Sequence, residues 1–183
     1  MNDPSNKIVD EILVMDCQSG NVKALELLVS RWQKRLWTYA YRLLGDSEVA
    51  WDITQESWLG IVRGIRKLED PARFGPWCFR IVGNKANDWI RKRQADRKPI
   101  QQAETENVLT AEDCERLDKA SDLSTILRKL PGNHREIIML YYIEQLSVGE
   151  IAIVLDVPSG TVKSRLHKAR ECFKELWEIS ERE

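Results

Sequence analysis

Between Ser159 and Arg170 the chain arranges Ser159, Thr161, Lys163, Ser164, Arg165, His167, Lys168 and Arg170 around an apolar stripe of Val162, Leu166 and Ala169. Cations hold phosphates, while hydroxyls, imidazole and amines reach base edges, so this mixture on one helix suits the major groove of duplex DNA. A second set interleaves Phe74, Trp77 and Phe79 with Asn84, Lys85, Asn87, Trp89, Arg91, Lys92 and Arg93. Rings to stack on, amides for base edges and cations for a strand's phosphates fit unpaired bases better than closed duplex. The other reading of this set is an amphipathic helix with a basic end whose tryptophans fill the core. A third set, Asp46, Glu48, Asp52, Gln55 and Glu56, has acids at helical spacing and no base among them. Such a face avoids DNA and complements a basic protein surface. Asp46, Asp52 and Glu56 could also suggest a metal site, but helical spacing gathers acids by chance, and neither a histidine nor a phosphate-cradling glycine loop supports catalysis.

The first set needs a frame, and residues 146 to 170 spell a helix-turn-helix. Ser147 with Glu150 three residues on is a capping box. Ile151, Ala152 and Leu155 form a buried stripe, Asp156 tolerates the left-handed conformation that ends a helix, and Val157-Pro158 turns the chain toward a new start at Ser159. An ordinary helical hairpin with a solvated basic face has the same outline without the partner.

Elsewhere apolar residues recur at helical spacing, which predicts helices over Ile8 to Gln18, Val22 to Leu44, Ser47 to Ile65, Trp77 to about Gln94, Leu123 to Leu130 and His134 to Glu144. On the second, the stripe runs through Leu25, Leu28, Val29, Trp32, Leu36, Tyr39, Ala40 and Leu43. Lys67 to Pro76 reads as a loop, and its part from Glu69 to Pro76 can wall a pocket for an unstacked base, with Asn84 and Asn87 offering paired donors and acceptors. The fold class is all-α: two small helical domains, 1–95 and 123–183, joined by a flexible acidic linker, 96–122, in which Thr110 to Lys119 could form a short helix. The formal net charge of −1 hides segregation, with a net +4 over Lys85 to Lys98 and over Gly160 to Lys174, and a net −5 over Gln102 to Asp122. That pattern predicts two nucleic-acid faces, each weak alone, and an acidic surface for another partner. Cys17, Cys78, Cys114 and Cys172 are scattered without C-x-x-C spacing, and His134 and His167 stand apart, so neither a metal nor another cofactor is expected. Without a secretory signal or a long apolar run, the expected location is the bacterial cytoplasm, with no membrane insertion.

Taken in order, these segments resemble the extracytoplasmic-function group of the sigma-70 family, the small factors that direct bacterial RNA polymerase to promoters. Leu43-Leu44-Gly45-Asp46 and Asp52-Ile53-Thr54-Gln55-Glu56 look like its region 2 docking segment, apart from Trp51, which stands where the family commonly has an acid. Phe74 to Asn84 and Asp88 to Arg93 look like its melting and −10-reading segment. Gly160 to Arg170 looks like the region 4 signature that reads the −35 element. The resemblance implies a non-enzymatic initiation factor whose partners are promoter DNA, the clamp helices of the polymerase large subunit, the flap of the second large subunit and an anti-sigma factor. The runner-up, a conventional helix-turn-helix regulator, shares the C-terminal half and leaves the Asn-Trp-Arg helix and the acidic face without a role.

Overall fold

The computed structural model describes residues 4–96 and 122–180, which fall in two compact units, each taken by itself. Residues 97–121 of the expected linker, with Cys114 and the short helix from Thr110 to Lys119, lie outside the described residues.

The first unit holds α1 (Pro4–Gln18), α2 (Val22–Leu44), α3 (Ser47–Gly64) and α4 (Phe74–Asp96). Helix α1 begins at Pro4, four residues before the expected Ile8, because proline's fixed φ suits a first helical turn that cannot use its missing N–H. Asn21 caps α2 by accepting from the Lys23 and Ala24 amides at 3.0 and 3.4 Å. Gly45, at φ 73°, ends α2 in the left-handed region, and the Asp46 carboxylate caps α3 by accepting from the Glu48 and Val49 amides at 3.0 and 3.1 Å. Leu28, Leu36, Tyr39 and Ala40 of α2, Ala50 and Ile61 of α3, and Phe79, Val82 and Ala86 of α4 form a core closed to water. Leu25, Val29 and Leu43, expected on the same stripe, are only half-buried, and Ala24 and Leu44 are buried instead.

The expected loop from Lys67 to Pro76 is mostly helical. Two 3-10 turns, Ile65–Lys67 and Pro71–Arg73, lead into α4, which starts at Phe74 instead of Trp77. Asp70 caps the second turn by accepting from the Ala72 amide at 3.0 Å, and Pro76 falls in the first turn of α4, where no helical bond is lost. Phe74 is 1% exposed and meets Trp32 edge-on, centroids 5.4 Å apart. A Cβ on Gly75 would come within 2.8 Å of the same indole, so only glycine lets α4 begin this close to α2.

The second unit holds α5 (Asp122–Lys129), α6 (Gly132–Ile138), α7 (Val148–Leu155) and α8 (Ser159–Ser180). Helix α6 starts two residues before the expected His134 and widens into a π-helical turn, Met139–Ile143, closed by the Glu144 amide donating to the Met139 carbonyl at 2.9 Å. Ser147 and Glu150 form the capping box, and Asp156, at φ 54° and ψ 47°, takes the left-handed conformation that ends α7. The amides of Thr161 and Val162 donate to the Pro158 carbonyl at 2.9 and 3.1 Å, which starts α8. Val154 joins Ile151 in the core of α7, leaving Ala152 and Leu155 half-buried at the edge of the expected stripe. Cys17 and Cys78 are buried, and burial first, then the carboxylates of Asp16 and Asp10 respectively, raises both thiols and keeps them protonated. Among the described residues no helix is long and apolar enough to cross a membrane.

Candidate nucleic-acid interface

On α8 the sequence pattern sorts cleanly by burial. Val162 and Ala169 are closed to water and Leu166 nearly so, whereas Ser159, Lys163, Ser164, Arg165, His167 and Lys168 are exposed and Thr161 is half-buried. The Ser164 hydroxyl donates to the Thr161 carbonyl at 3.1 Å, and His167 Nε2 lies 3.5 Å from the Glu171 carboxylate one turn on. Lys163, Arg165 and Lys168 carry no ion pair among the described residues, so their charge faces outward. Arg170 departs from this set: its guanidinium lies 5.3 and 5.5 Å from the ring centroids of Tyr141 and Tyr142. The two rings meet edge-on at 4.9 Å, so the exposed Arg170 rests against the π-helical turn on the same helix as its fellow cations.

Lys85, Arg91 and Arg93 of α4 are engaged within the unit, while Lys92 is exposed. Lys85 Nζ is 2.9 Å from Glu56 Oε2, Arg91 pairs with Asp88, and the Arg93 guanidinium lies 4.9 Å from the Trp89 ring centroid. Asn84 and Asn87 are exposed, while Trp77 and Trp89 are half-buried. The fully buried Phe74 offers no face to a nucleic acid and serves the core, a correction to its expected place in the site.

The expected pocket, with the 69–76 segment as wall and Asn84 and Asn87 as polar lining, divides into two hollows. One, of about 570 Å³, is lined by Gly64, Lys67, Leu68, Glu69, Asp70, Arg73 and Trp77. The other, of about 630 Å³, is lined by Asn84, Asn87, Asp88, Ile90 and Arg91. Seven residues of α4 separate Trp77 from Asn84, about 10 Å along the axis. The first hollow is firmly framed. Trp77 lies so close to α3 that a Cβ on Gly64 would come within 2.8 Å of its indole, and Asp70 pairs with Arg73 at 3.1 Å. Gln18, expected only as a helix end, donates through Nε2 to the Ile65 and Leu68 carbonyls at 3.0 and 2.7 Å. Nothing local flags a bond spanning 47 or 50 residues.

The third set lies on α3. Glu48, Asp52, Gln55 and Glu56 are exposed, whereas Asp46 is half-buried and occupied as the cap. Trp51, Leu59 and Val62, respectively 45%, 59% and 44% exposed, share this open face, which is therefore acidic toward its start and apolar toward its end. At one margin Trp51 meets Trp37, centroids 5.8 Å apart, and Trp37 stacks on Tyr41 at 5.3 Å; at the other, Glu56 meets Lys85. The apolar members were legible in principle, since positions 51, 55, 59 and 62 fall on one side of a helix. Among the described residues no three histidines, cysteines, aspartates or glutamates come together as metal ligands.

Residues 28–96 match the family model for sigma-70 region 2, and residues 121–173 match that for sigma-70 region 4. The ECF RNA polymerase sigma-E factor of Haemophilus influenzae is 30% identical over 189 residues, covering 93% of this chain and 96% of its own. The ECF RNA polymerase sigma factor SigW of Bacillus subtilis is 28% identical, covering 88% and 92%. Among solved structures, CnrH in complex with the cytosolic domain of CnrY superposes with a TM-score of 0.70 at 28% identity, covering 93% of this chain and 98% of CnrH. RpoE of Bartonella quintana, in complex with the anti-sigma factor NepR, shares the fold with a TM-score of 0.67 at 20% identity, covering 86% and 98%.

Proposed function

The chain belongs to the extracytoplasmic-function group of the sigma-70 family and so binds core RNA polymerase and directs transcription initiation at promoters; we propose that it divides promoter recognition between its two units. The second unit (123–183) reads the −35 duplex with α8. The first (1–95) docks on polymerase through α3 and holds the melted −10 strand along α4. The observation that carries this reading is the contrast in charge between open helix faces: Lys163, Arg165 and Lys168 on α8 carry no ion pair among the described residues, while Glu48 and Asp52 crown α3 beside Gln55. The first face fits phosphates, and the second fits a basic protein surface such as the clamp helices. Neither unit needs to hold DNA alone, because polymerase carrying both units over one promoter adds their modest affinities through effective concentration.

Within the first unit, the hollow beside Trp77 receives an unstacked base, with Lys67 and Arg73 at its mouth for phosphate. Asn84, Asn87 and Arg91 hold the neighbouring nucleotides in the second hollow. The factor acts without catalysis, in the cytoplasm, with the polymerase flap as a second contact and an anti-sigma protein as its inhibitor. CnrH and RpoE, each solved with a partner bound, support the last point.

The test is DNA binding with and without core polymerase. Promoter-specific binding should require the polymerase, and replacing Asp52 and Glu56 with lysine should abolish both that binding and initiation by weakening the association with polymerase, with the helical content of the protein unchanged. Specific binding by the protein alone, equal with and without polymerase, would instead identify a conventional helix-turn-helix regulator.

A further inference from the structure

The hollow beside Trp77 has three walls with different degrees of freedom. Its floor is rigid, because the indole rests on Gly64 with no room for a Cβ between them. One side is held by its own short-range bonds, Asp70 accepting from the Ala72 amide and pairing with Arg73. The remaining wall, from Lys67 to Glu69, is the exit of a three-residue turn, whose own closing bond is the Leu68 amide to the Ile65 carbonyl at 3.2 Å. Ile65, 3% exposed, anchors the start of the turn in the core, but its exit, with Leu68 half-buried and Lys67 and Glu69 exposed, is closed by that one bond of about 1 kcal/mol. Gln18 supplies the missing constraint. Its one amide nitrogen donates to the carbonyls at both ends of that turn, 3.0 Å to Ile65 and 2.7 Å to Leu68, and so ties the wall to the end of α1. Gln18 lies ten residues before the stretch that matches the region 2 family model, which begins at residue 28.

We propose that Gln18 is the positioning residue that sets the width of the base-holding hollow, and through it the preference for one base of the −10 element. The proposal rests on the reading of that hollow given above. Gln18 does not touch the nucleotide. It holds the wall of Lys67, Leu68 and Glu69 at a fixed distance from Trp77, so that a base stacked on the indole presents its edge to groups in register with it. The volume, about 570 Å³, falls within the range of about 300 to 1,000 Å³ typical of small-ligand sites. Edge recognition by hydrogen bonds fails over a few tenths of an ångström, so a wall free to swing keeps the stacking and loses the choice.

The test is Gln18→Met, which keeps length and apolar bulk and removes both donors, assayed in holoenzyme on promoters substituted one base at a time through the −10 element. A wrong base at a read position costs about 1 to 3 kcal/mol, and the variant should lose roughly tenfold of that discrimination at one position. Polymerase affinity and −35 preference should not change, and amide exchange should quicken at Leu68, Glu69 and Asp70. Discrimination unchanged at every position, or lowered equally at all of them, overturns the proposal. If Gln18→Met loses polymerase binding through misfolding, Gln18→Asn, one methylene shorter with its amide intact, replaces it in the same assay, and the same two outcomes overturn the proposal. Joint replacement of Lys67 and Glu69 by alanine separates the premises. If that pair leaves −10 preference untouched, the hollow is not the base site and both readings fall; if it shifts the preference while Gln18→Met does not, only the role of Gln18 falls.

Discussion

Helices α4 and α8 differ in how the cations of their expected sites are placed. On α8, Lys163, Arg165 and Lys168 point to water with no partner among the described residues, so a rigid duplex can meet them as they stand. On α4, Lys85 is bonded to Glu56, Arg91 to Asp88, and Arg93 lies over Trp89. A strand arriving at α4 must displace partners already in place. The difference fits the targets proposed for the two helices: a duplex groove exists before binding, whereas melted DNA exists only once polymerase holds the complex. A face that is self-satisfied when free binds stray single strands weakly, and it gains from being placed against its target by a larger partner.

The largest effect that can break this comparison is at Phe74. Because its ring is spent on the core of the first unit, Phe74→Ala should lower that unit's unfolding free energy by about 3 to 5 kcal/mol, seen by denaturation, while the melting of the second unit is unchanged. An unchanged stability with lost promoter opening would return Phe74 to the DNA surface. Next is Lys163→Ala, expected to cost about 1 to 3 kcal/mol in −35 affinity and to relax preference at one base pair. A uniform loss over all −35 variants would make Lys163 a phosphate contact only.

Arg170 sharpens the comparison within α8. Held over two tyrosines, it should contribute about 0.5 to 1 kcal/mol to the stability of the second unit. Arg170→Ala should leave the salt dependence of DNA binding unaltered, whereas removal of a phosphate contact such as Lys168 lowers the slope by about 0.9. A drop in slope for Arg170→Ala would restore it to the DNA face. The smallest effect belongs to Glu56→Gln, which frees Lys85 from an exposed pair worth about 1 kcal/mol at most. Affinity of the free protein for a single-stranded −10 oligonucleotide should rise by about fivefold or less, even as polymerase docking weakens. No rise would mean that the pair does not compete with the strand.

How far the sequence could be read depended on how locally each feature is encoded. The helix-turn-helix was legible almost residue by residue, because its caps, its left-handed Asp156 and its apolar stripe are written within about 25 residues and each follows from neighbours in the chain. The boundaries of α4 were not, since Asp70 as a cap and proline in a first turn are also what a loop contains. Phe74 looked available for stacking because Trp32, the residue that covers it, is 42 positions away. Arg170 is exposed like its fellow cations, and its place over Tyr141 and Tyr142 was not legible because those rings are 29 and 28 positions away. The division of the expected pocket into two hollows follows from helix rise alone, which a list of promising side chains does not display.

The ring array of Trp37, Tyr41 and Trp51 gives the protein an optical property. An indole that is 45% exposed emits to the red of a buried one, and any partner that covers this margin of α3 strips water from Trp51 and shifts its emission toward the blue. Six of the seven tryptophans lie before residue 95, and the seventh, Trp177, stacks on Phe173 in the other unit, centroids 6.2 Å apart. The unlabelled chain therefore carries a chromophore beside the surface where polymerase is expected to arrive, and another in the unit assigned to the −35 duplex.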